Sequence, residues 1–281
     1  MRTSASDQIH GVGIGLRTPH ITELIQQPHN VPVPWLEILS DNFIHQSGLD
    51  AALLDEICTR YPVTLHGVNL SLGGTAPLDI DYLTALKTLA TRTQAAWVSE
   101  HLCFCHQGSQ HSHDLLPLPY TASTVPHLAA RIGQTQDILG QRILIENVSA
   151  YLNYSASEMT EGEFLAEIIQ QADCYCLLDL NNLYVSAHNL GTDIPALIKQ
   201  IPFDRVKEIH LAGFEDQGSL LLDAHNNPVA EPVWDLYRQI QPQLPDVPVL
   251  IEWDNDIPPL NTLLEQAAIA EQIRQSSPTP S

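Results

Sequence analysis

Histidines and carboxylates scattered through this 281-residue chain could gather into one metal centre. His66, Glu100 with His101, Glu146 with Asn147, Asp179 with Asn181 and Asn182, His210, and Glu252 with Asp254 each fall at or just past the end of a short apolar run. Asp223 and His225 follow one of those runs at a longer interval. Imidazole and carboxylate are donors that suit first-row transition ions such as iron, manganese and zinc. Several carboxylates brought together without a cation repel one another and take up protons. Divalent ions remove that conflict, and a Glu or Asp can bridge two of them. Taken singly, each position has an ordinary explanation: a His at a strand end is often a hydrogen-bonded core residue, and a Glu after a strand often caps the next helix. Those explanations do not cover the joint pattern, in which the third to eighth runs all end in a His or a carboxylate.

For such residues to meet, the apolar runs must be strands that end on one face. Runs rich in Val, Ile and Leu lie near Val12–Leu16, Trp35–Leu39, Val63–Val68, Trp97–Leu102, Arg142–Glu146, Cys174–Leu180, Val206–Leu211 and Val249–Trp253. They read as parallel strands covered on both sides. Helical periodicity fills the intervals, as in Leu49–Arg60, Ile80–Thr91 and Val125–Leu139, and Thr160 with Glu163 forms a capping box ahead of Phe164–Ala172. Eight β-then-α units predict an α/β fold, a (β/α)8 TIM barrel in a single domain over residues 11–275. Residues 1–10 are expected to be a tail, and residues 276–281 a disordered one. An open doubly wound sheet is the rival architecture, but Gly11, Gly13 and Gly15 lack the G-x-G-x-x-G spacing of its nucleotide loop. Two connections are long, Cys103 to Tyr120 and Glu215 to Asn227, and long loops at a barrel's C-terminal face are where chemistry gathers. There is no G-x-S-x-G elbow, H-E-x-x-H helix or P-loop.

Twelve Lys and Arg stand against 33 Asp and Glu, a formal charge of −21 that repels DNA and anionic membranes, so neither nucleic acid nor membrane is an expected partner. No apolar run approaches the length of a membrane span, and Met1 to Gln8 lack the apolar core of a secretory signal. The odd set of five cysteines fits reduced thiols in a cytoplasm. Of the two C-x-C pairs, Cys174 and Cys176 begin a strand and read as buried packing. Cys103 and Cys105 follow His101 on the mouth side, in the same loop as His106, His111 and His113, where a role for a thiol is the less favoured reading.

The runs Leu65-His-Gly-Val-Asn-Leu-Ser-Leu72, Ser99-Glu-His-Leu102, Asp114-Leu-Leu-Pro-Leu-Pro-Tyr-Thr121, Ile145-Glu-Asn-Val148, Leu178-Asp-Leu-Asn-Asn182, Glu208-Ile-His-Leu-Ala-Gly213 and Leu250-Ile-Glu-Trp-Asp-Asn-Asp256 resemble the DUF692 family, also called UPF0276 or the multinuclear non-heme iron-dependent oxidases. The resemblance runs from about Gly11 to Ile273. It implies a barrel with two or three iron ions, held by His66, His101, Glu146, Asp179, His210, Asp223, His225 and Glu252. Asn182 stands where some members carry a His ligand and is carried as a further metal candidate. Asp254 follows Glu252 by two residues rather than one. Asp254, Asn147 and Asn181 are the candidates for catalytic or ligand-orienting roles. Cys103-Phe-Cys105 replaces a Ser-rich version common in the family. Members of the family modify cysteine residues of ribosomally made precursor peptides with dioxygen and often need a small partner protein that delivers the peptide. The cofactor expected from the resemblance is therefore iron in a mixed-valent Fe(II)/Fe(III) state, with dioxygen as co-substrate.

Three alternatives fit the residues alone. One is a zinc-dependent phosphodiesterase of the endonuclease IV kind, which the charge opposes. Another is a zinc- or manganese-dependent sugar isomerase or epimerase, indifferent to dioxygen. The third is a metal- or peptide-binding scaffold without turnover.

Overall fold

The computed structural model of the chain describes residues 9–27, 31–107, 110–244 and 246–276. Its strands are β1 (Val12–Leu16), β2 (Leu36–Leu39), β3 (Val63–Gly67), β4 (Val98–His101), β5 (Phe104–Gln107), β6 (Gln110–Leu116), β7 (Leu144–Glu146), β8 (Tyr175–Asp179), β9 (Val206–Leu211), β10 (Glu215–Asp216), β11 (Leu221–Leu222) and β12 (Val249–Ile251). The helices are α1 (Ile21–Gln26), α2 (Gly48–Cys58), α3 (Ile80–Thr93), α4 (Thr124–Leu139), α5 (Glu161–Ala172), α6 (Leu180–Leu190), α7 (Ile194–Ile198), α8 (Glu231–Ile240) and α9 (Leu260–Ser276). Eight strands close into a parallel barrel in the order β1-β12-β9-β8-β7-β4-β3-β2, each joined to the next by helix. This is a single-domain TIM barrel. The barrel strands match their sequence expectations to within one or two residues at either end.

The two long connections are not bare loops. Each carries an antiparallel hairpin, β5 with β6 and β10 with β11. Their sequences are polar and show little apolar alternation, so the pattern that marks the barrel strands is missing from them. The capping box forms as expected: the Glu163 amide donates to the Thr160 hydroxyl (3.3 Å), and the Thr160 amide donates to the Glu163 carboxylate (2.9 Å). α9 runs through Ser276, one residue into the segment expected to be a tail. Residues 1–8 and 277–281 lie outside the described residues. No helix among the described residues is long and apolar enough to cross a membrane.

Alternation along the strands divides the core in two. Ile14, Ile38, Leu65, Val98, Ile145, Leu178, Ile209 and Ile251 face outward and are covered by the helices. Trp35, Trp97, Leu144, Leu177 and Leu250 face inward and, with Ile9, fill the N-terminal end of the barrel as a separate apolar floor. Burying an aliphatic side chain of this size contributes about 1.5–3 kcal/mol. Gly13 of β1 serves this floor: a Cβ there would lie 2.5 Å from the Trp35 ring. Cys174 and Cys176 are buried in the outer core, as expected, and all five cysteines are free thiols.

Candidate metal centre

Stepping two residues along each strand from the floor leads to the mouth. The inward columns read Trp35–Glu37–Leu39, Thr64–His66, Trp97–Ser99–His101, Leu144–Glu146, Leu177–Asp179, Glu208–His210 and Leu250–Glu252. A period of two sends these side chains inside, and in the columns of Trp97, Leu144, Leu177 and Leu250 the apolar residue comes first and the ligand-type residue last. His66, His101, Glu146, Asp179, His210 and Glu252 are all buried.

Glu146 is the hub. His66 Nε2 and His101 Nε2 each lie 3.2 Å from its Oε2, and His210 Nδ1 lies 3.7 Å from its Oε1. The rings of His66 and His101 meet edge to face at 4.5 Å. Glu252 Oε2 sits 3.2 Å from both His210 Nδ1 and His225 Nδ1. Four sets of atoms are close enough to share an ion: His66, His101 and Glu146; Glu146, Asp179, His210 and Glu252; Glu37, Glu208 and His210; and His225, Glu252 and Asp254. Glu146 belongs to the first two.

Hydrogen bonds behind the ligands decide which nitrogens face the cluster. Ser99 donates its hydroxyl to Leu65 O (3.3 Å), so it accepts the Nδ1–H of His66 (2.8 Å). Gly67 O accepts the Nδ1–H of His101 (3.0 Å). When either ring is neutral its Nε2 lone pair therefore points at an oxygen of Glu146. Lone pair against lone pair at 3.2 Å is unfavourable unless a proton or a cation stands between. Bonds of about 2.0–2.2 Å to a shared ion would place neighbouring donor atoms roughly 3–3.5 Å apart, the separation found here.

Local structure fixes the remaining donors. Asp179 ends β8 and caps α6: its Oδ1 accepts the Asn182 amide (2.6 Å), which leaves Oδ2 facing the cluster without a partner. Asn147 clamps Asp179 from behind, donating to its carbonyl and accepting from its amide, both at 3.0 Å. Asn182 donates to Asn147 O (3.1 Å) and keeps its own Oδ1 unpartnered. Asp223 is held by the Ser149 hydroxyl and by Asn181 Nδ2, each at 2.8 Å. His225 adopts a left-handed backbone (φ 45°), strained for a residue with a side chain, and sets its Nε2 2.6 Å from Asp223 Oδ1. His225 Nδ1 donates to Asp254 Oδ2 (2.9 Å), and the Arg17 guanidinium holds the other oxygen of Asp254 (2.5 Å).

The electrostatics show what the cluster lacks. Burial, then the charges of Glu252 and Asp179, lift the Glu146 carboxyl well above the usual carboxylate range. Burial raises Asp179 to about 7. Burial, then the neighbouring His101 and His210, keeps His66 neutral. Burial opposes protonation of His101, yet Glu146 and Glu100 raise it to about 10. Burial likewise works against the charge on Asp254, but His225 and Arg17 hold its carboxyl well below the usual range. His66 Nε2, Glu146 Oε2, Asp179 Oδ2, Asn181 Oδ1, Asn182 Oδ1 and His225 Nε2 are buried without a hydrogen-bond partner. Buried polar atoms are rarely left so, and a cluster of them at one point fits cations held by N and O donors.

Every residue expected at the mouth is gathered there, in direct contact with the cluster or one hydrogen bond behind it. The Cys103 and Cys105 thiols are buried outside the mouth cavity, and Cys105 Sγ donates to Val68 O (3.6 Å). His106 and His111 pair with each other on the β5–β6 hairpin (ring centroids 5.3 Å) and do not line the mouth; the His113 side chain lies outside the described residues. The sequence reading missed Arg17, Ser99, Glu37 and Glu208. Glu208 carried a signal, because it stands two residues before His210 and so shares its face. Glu37 is a lone carboxylate inside the apolar run Trp35–Leu39, which itself marks an inward polar group. A cavity of about 230 Å³ opens onto the cluster, bounded by Asp114, Leu115, Ser149, Tyr151 and Asn255. A larger one, about 600 Å³, lies beneath the floor by Trp97 and Tyr175, away from any of these donors.

Fold and site together define a TIM barrel with a buried, multi-donor centre for metal ions at its mouth. The family model of the RiPP precursor modification enzymes MbnB/TglH/ChrH matches residues 11–275, and the chain belongs to that family. It is 47% identical over 267 residues to a UPF0276 protein of Acaryochloris marina, covering 95% of this chain and 96% of that one. A UPF0276 protein of Anaeromyxobacter sp. is 44% identical over 268 residues, covering 95% and 94%. Among solved structures, D-psicose 3-epimerase of Clostridium cellulolyticum H10 with D-tagatose superposes with a TM-score of 0.61 at 10% identity, covering 96% of this chain and all of that one (100%). D-allulose 3-epimerase of Methylomonas sp. in complex with D-allulose gives 0.58 at 12% identity, covering 95% and 96%. At such identities the likeness is one of fold.

Proposed function

We propose that this chain is an iron-dependent oxidase that uses dioxygen to modify a cysteine residue of a ribosomally made precursor peptide. The observation that carries the reading is the meeting of two imidazole Nε2 atoms at one oxygen of Glu146, inside a family of peptide-modifying enzymes. His66, His101 and Glu146 would hold one ion, and Glu146, Asp179, His210 and Glu252 a second. Asp223, His225 and Asn182 supply the donors for a third. Bound there in a mixed-valent state, iron supplies one-electron chemistry with dioxygen and favours the thiolate form of a substrate cysteine.

The protein's own groups do the positioning. Asn147 and the α6 amide fix both sides of Asp179, and Asn181 with Ser149 fixes Asp223. Asp254, tied to Arg17, orients His225 by taking its Nδ1–H, so we assign it that role rather than that of a free base. The mouth cavity admits a side chain and a short stretch of backbone, with Asp114 and Leu115 from the hairpin screening it from water. The peptide would be brought by a small delivery protein, as in members of the family. The five free thiols suit a reducing cytoplasm.

Anaerobically iron-loaded protein, mixed with a Cys-bearing precursor peptide encoded beside its gene and then exposed to air, should consume dioxygen and change the mass of the peptide. The Cys→Ser peptide should be inert, and His101→Ala should abolish the reaction. Turnover by His101→Ala at the parent rate would refute the site. Sugar epimerisation independent of dioxygen would refute the reaction class.

A further inference from the structure

One layer below the mouth, two carboxylates occupy the barrel interior where the pattern of the floor calls for apolar residues. Glu37 and Glu208 are buried on β2 and β9, and no Lys or Arg pairs with either among the described residues. Burying a carboxylate without a cationic partner costs several kcal/mol, so neither is explained by stability. Each has one oxygen tied off. Trp97 Nε1 donates to Glu208 Oε2 at 2.6 Å, and the Thr64 hydroxyl donates to Glu37 Oε2 at 3.3 Å. The other oxygen of each converges on the same atom: Glu37 Oε1 lies 3.3 Å and Glu208 Oε1 3.6 Å from His210 Nε2.

His210 thus stands between two sets of acids. Its Nδ1 is hydrogen-bonded to Glu252 Oε2 at 3.2 Å and faces Glu146 at the mouth, contacts that a metal ion would replace, and its Nε2 faces Glu37 and Glu208 below. A ring with carboxylates on both sides has no intrinsic preference for which nitrogen carries its proton. Two acceptors below, each locked by a donor of its own, would settle the choice. Because the N–H is shared between two oxygens and aligned on neither, no single hydrogen bond forms, and Nε2 and Glu208 Oε1 both remain without a directed partner.

We propose that Glu37 and Glu208 are positioning residues that retain the Nε2–H of His210 and so present its Nδ1 lone pair to the metal at the mouth, with Trp97 and Thr64 holding the two acids in place. The inference rests on the reading that the mouth binds iron. An imidazole whose far N–H is held by carboxylate is a stronger donor, and loss of such a partner typically lowers metal affinity about 10–100-fold. The stronger donor favours the ferric over the ferrous ion, so its loss should raise the reduction potential.

The test uses full-length protein bearing Glu208→Gln, Glu37→Gln or Trp97→Phe. In each, iron affinity and the Fe(III)/Fe(II) midpoint potential are measured beside a thermal melt. Glu208→Gln and Glu37→Gln should melt as cooperatively as the parent and bind iron about 10–100-fold more weakly. If ferric affinity falls tenfold more than ferrous, the potential rises by about 59 mV. Trp97→Phe frees Glu208 Oε2 and should shift the potential the same way by less. In protein loaded with zinc, nitrogen-15 NMR of the histidines should show His210 protonated at Nε2. Parent-like affinity and potential in both Gln variants would overturn the proposal. So would a His210 protonated at Nδ1, or the loss of one whole ion with the rest bound as before, since the acids would then be ligands themselves. A parent protein that binds no iron would instead refute the reading beneath it.

Discussion

The floor and the mouth of this barrel are built from the same strands, two residues apart, and they are opposites. At the floor Trp35, Leu144, Leu177 and Leu250 pack an apolar plug. At the mouth Glu146, Asp179 and Glu252 crowd three carboxylates around His210 in the same buried interior. Burial of a leucine at the floor stabilises the fold, whereas burial of a carboxylate at the mouth opposes it. The comparison shows where the chain gives up stability to hold a site ready, and it can be broken by experiment at either end.

The largest effect belongs to the floor. Leu177→Ala, at a fully buried position, should cost about 2–5 kcal/mol in denaturant unfolding while the folded protein keeps its full complement of iron. A loss of iron in proportion to stability would dissolve the distinction between the two ends.

Acidity comes next. Burial raises Asp179 and Glu37 to about 7, so in metal-stripped protein the folded state keeps protons that the unfolded chain releases near its ordinary carboxylate value. Through these two groups the folded form binds more protons between about pH 4 and pH 7, and stability falls as pH rises through that window, by something on the order of 3–4 kcal/mol for each, opposed in part by His66, which the fold keeps neutral. Asp223 and Asp254 are shifted the other way, and their contribution is lost only below about pH 4. Melts of chelated protein from pH 4 to 8 check the slope, and added divalent metal should cancel it. A flat or rising profile would mean that the mouth carries no such strain.

Smaller again is the gain from removing one charge. Glu146→Gln, in stripped protein at pH 8, should raise stability by about 1–2 kcal/mol, because a carboxyl whose charged form burial disfavours is replaced by a neutral group of the same shape. A destabilised variant would show that Glu146 supports the fold as well as the site. Least of all is a pair outside both regions. Arg92 grips Asp55 at the surface through two bonds of 2.7 and 2.8 Å, and Asp55→Ala should cost only about 0.2–1 kcal/mol, less in high salt.

The contrast between the ends also explains what could be read from the sequence. The barrel was legible because each parallel strand is a compact run of Val, Ile and Leu. The mouth was legible because His66, His101, Glu146, Asp179, His210 and Glu252 stand at or beside the ends of those runs, where topology brings them together. Glu37 and Glu208 escaped because they sit inside strands, and a search of strand ends passes over them. Arg17 escaped because only closure of β1 against β12 brings it to Asp254. The hairpins escaped because their strands pair with each other rather than with a core, and they carry no burial pattern to betray them.

If the mouth holds iron as proposed, Glu146 would contribute to two of its ions. Metal analysis of protein purified without oxygen tests it most directly, with the parent and Glu146→Ala run side by side. The account predicts two or three iron ions per parent chain and fewer than one in the variant. Iron-free parent protein, or a variant that keeps the parent's stoichiometry, would contradict it.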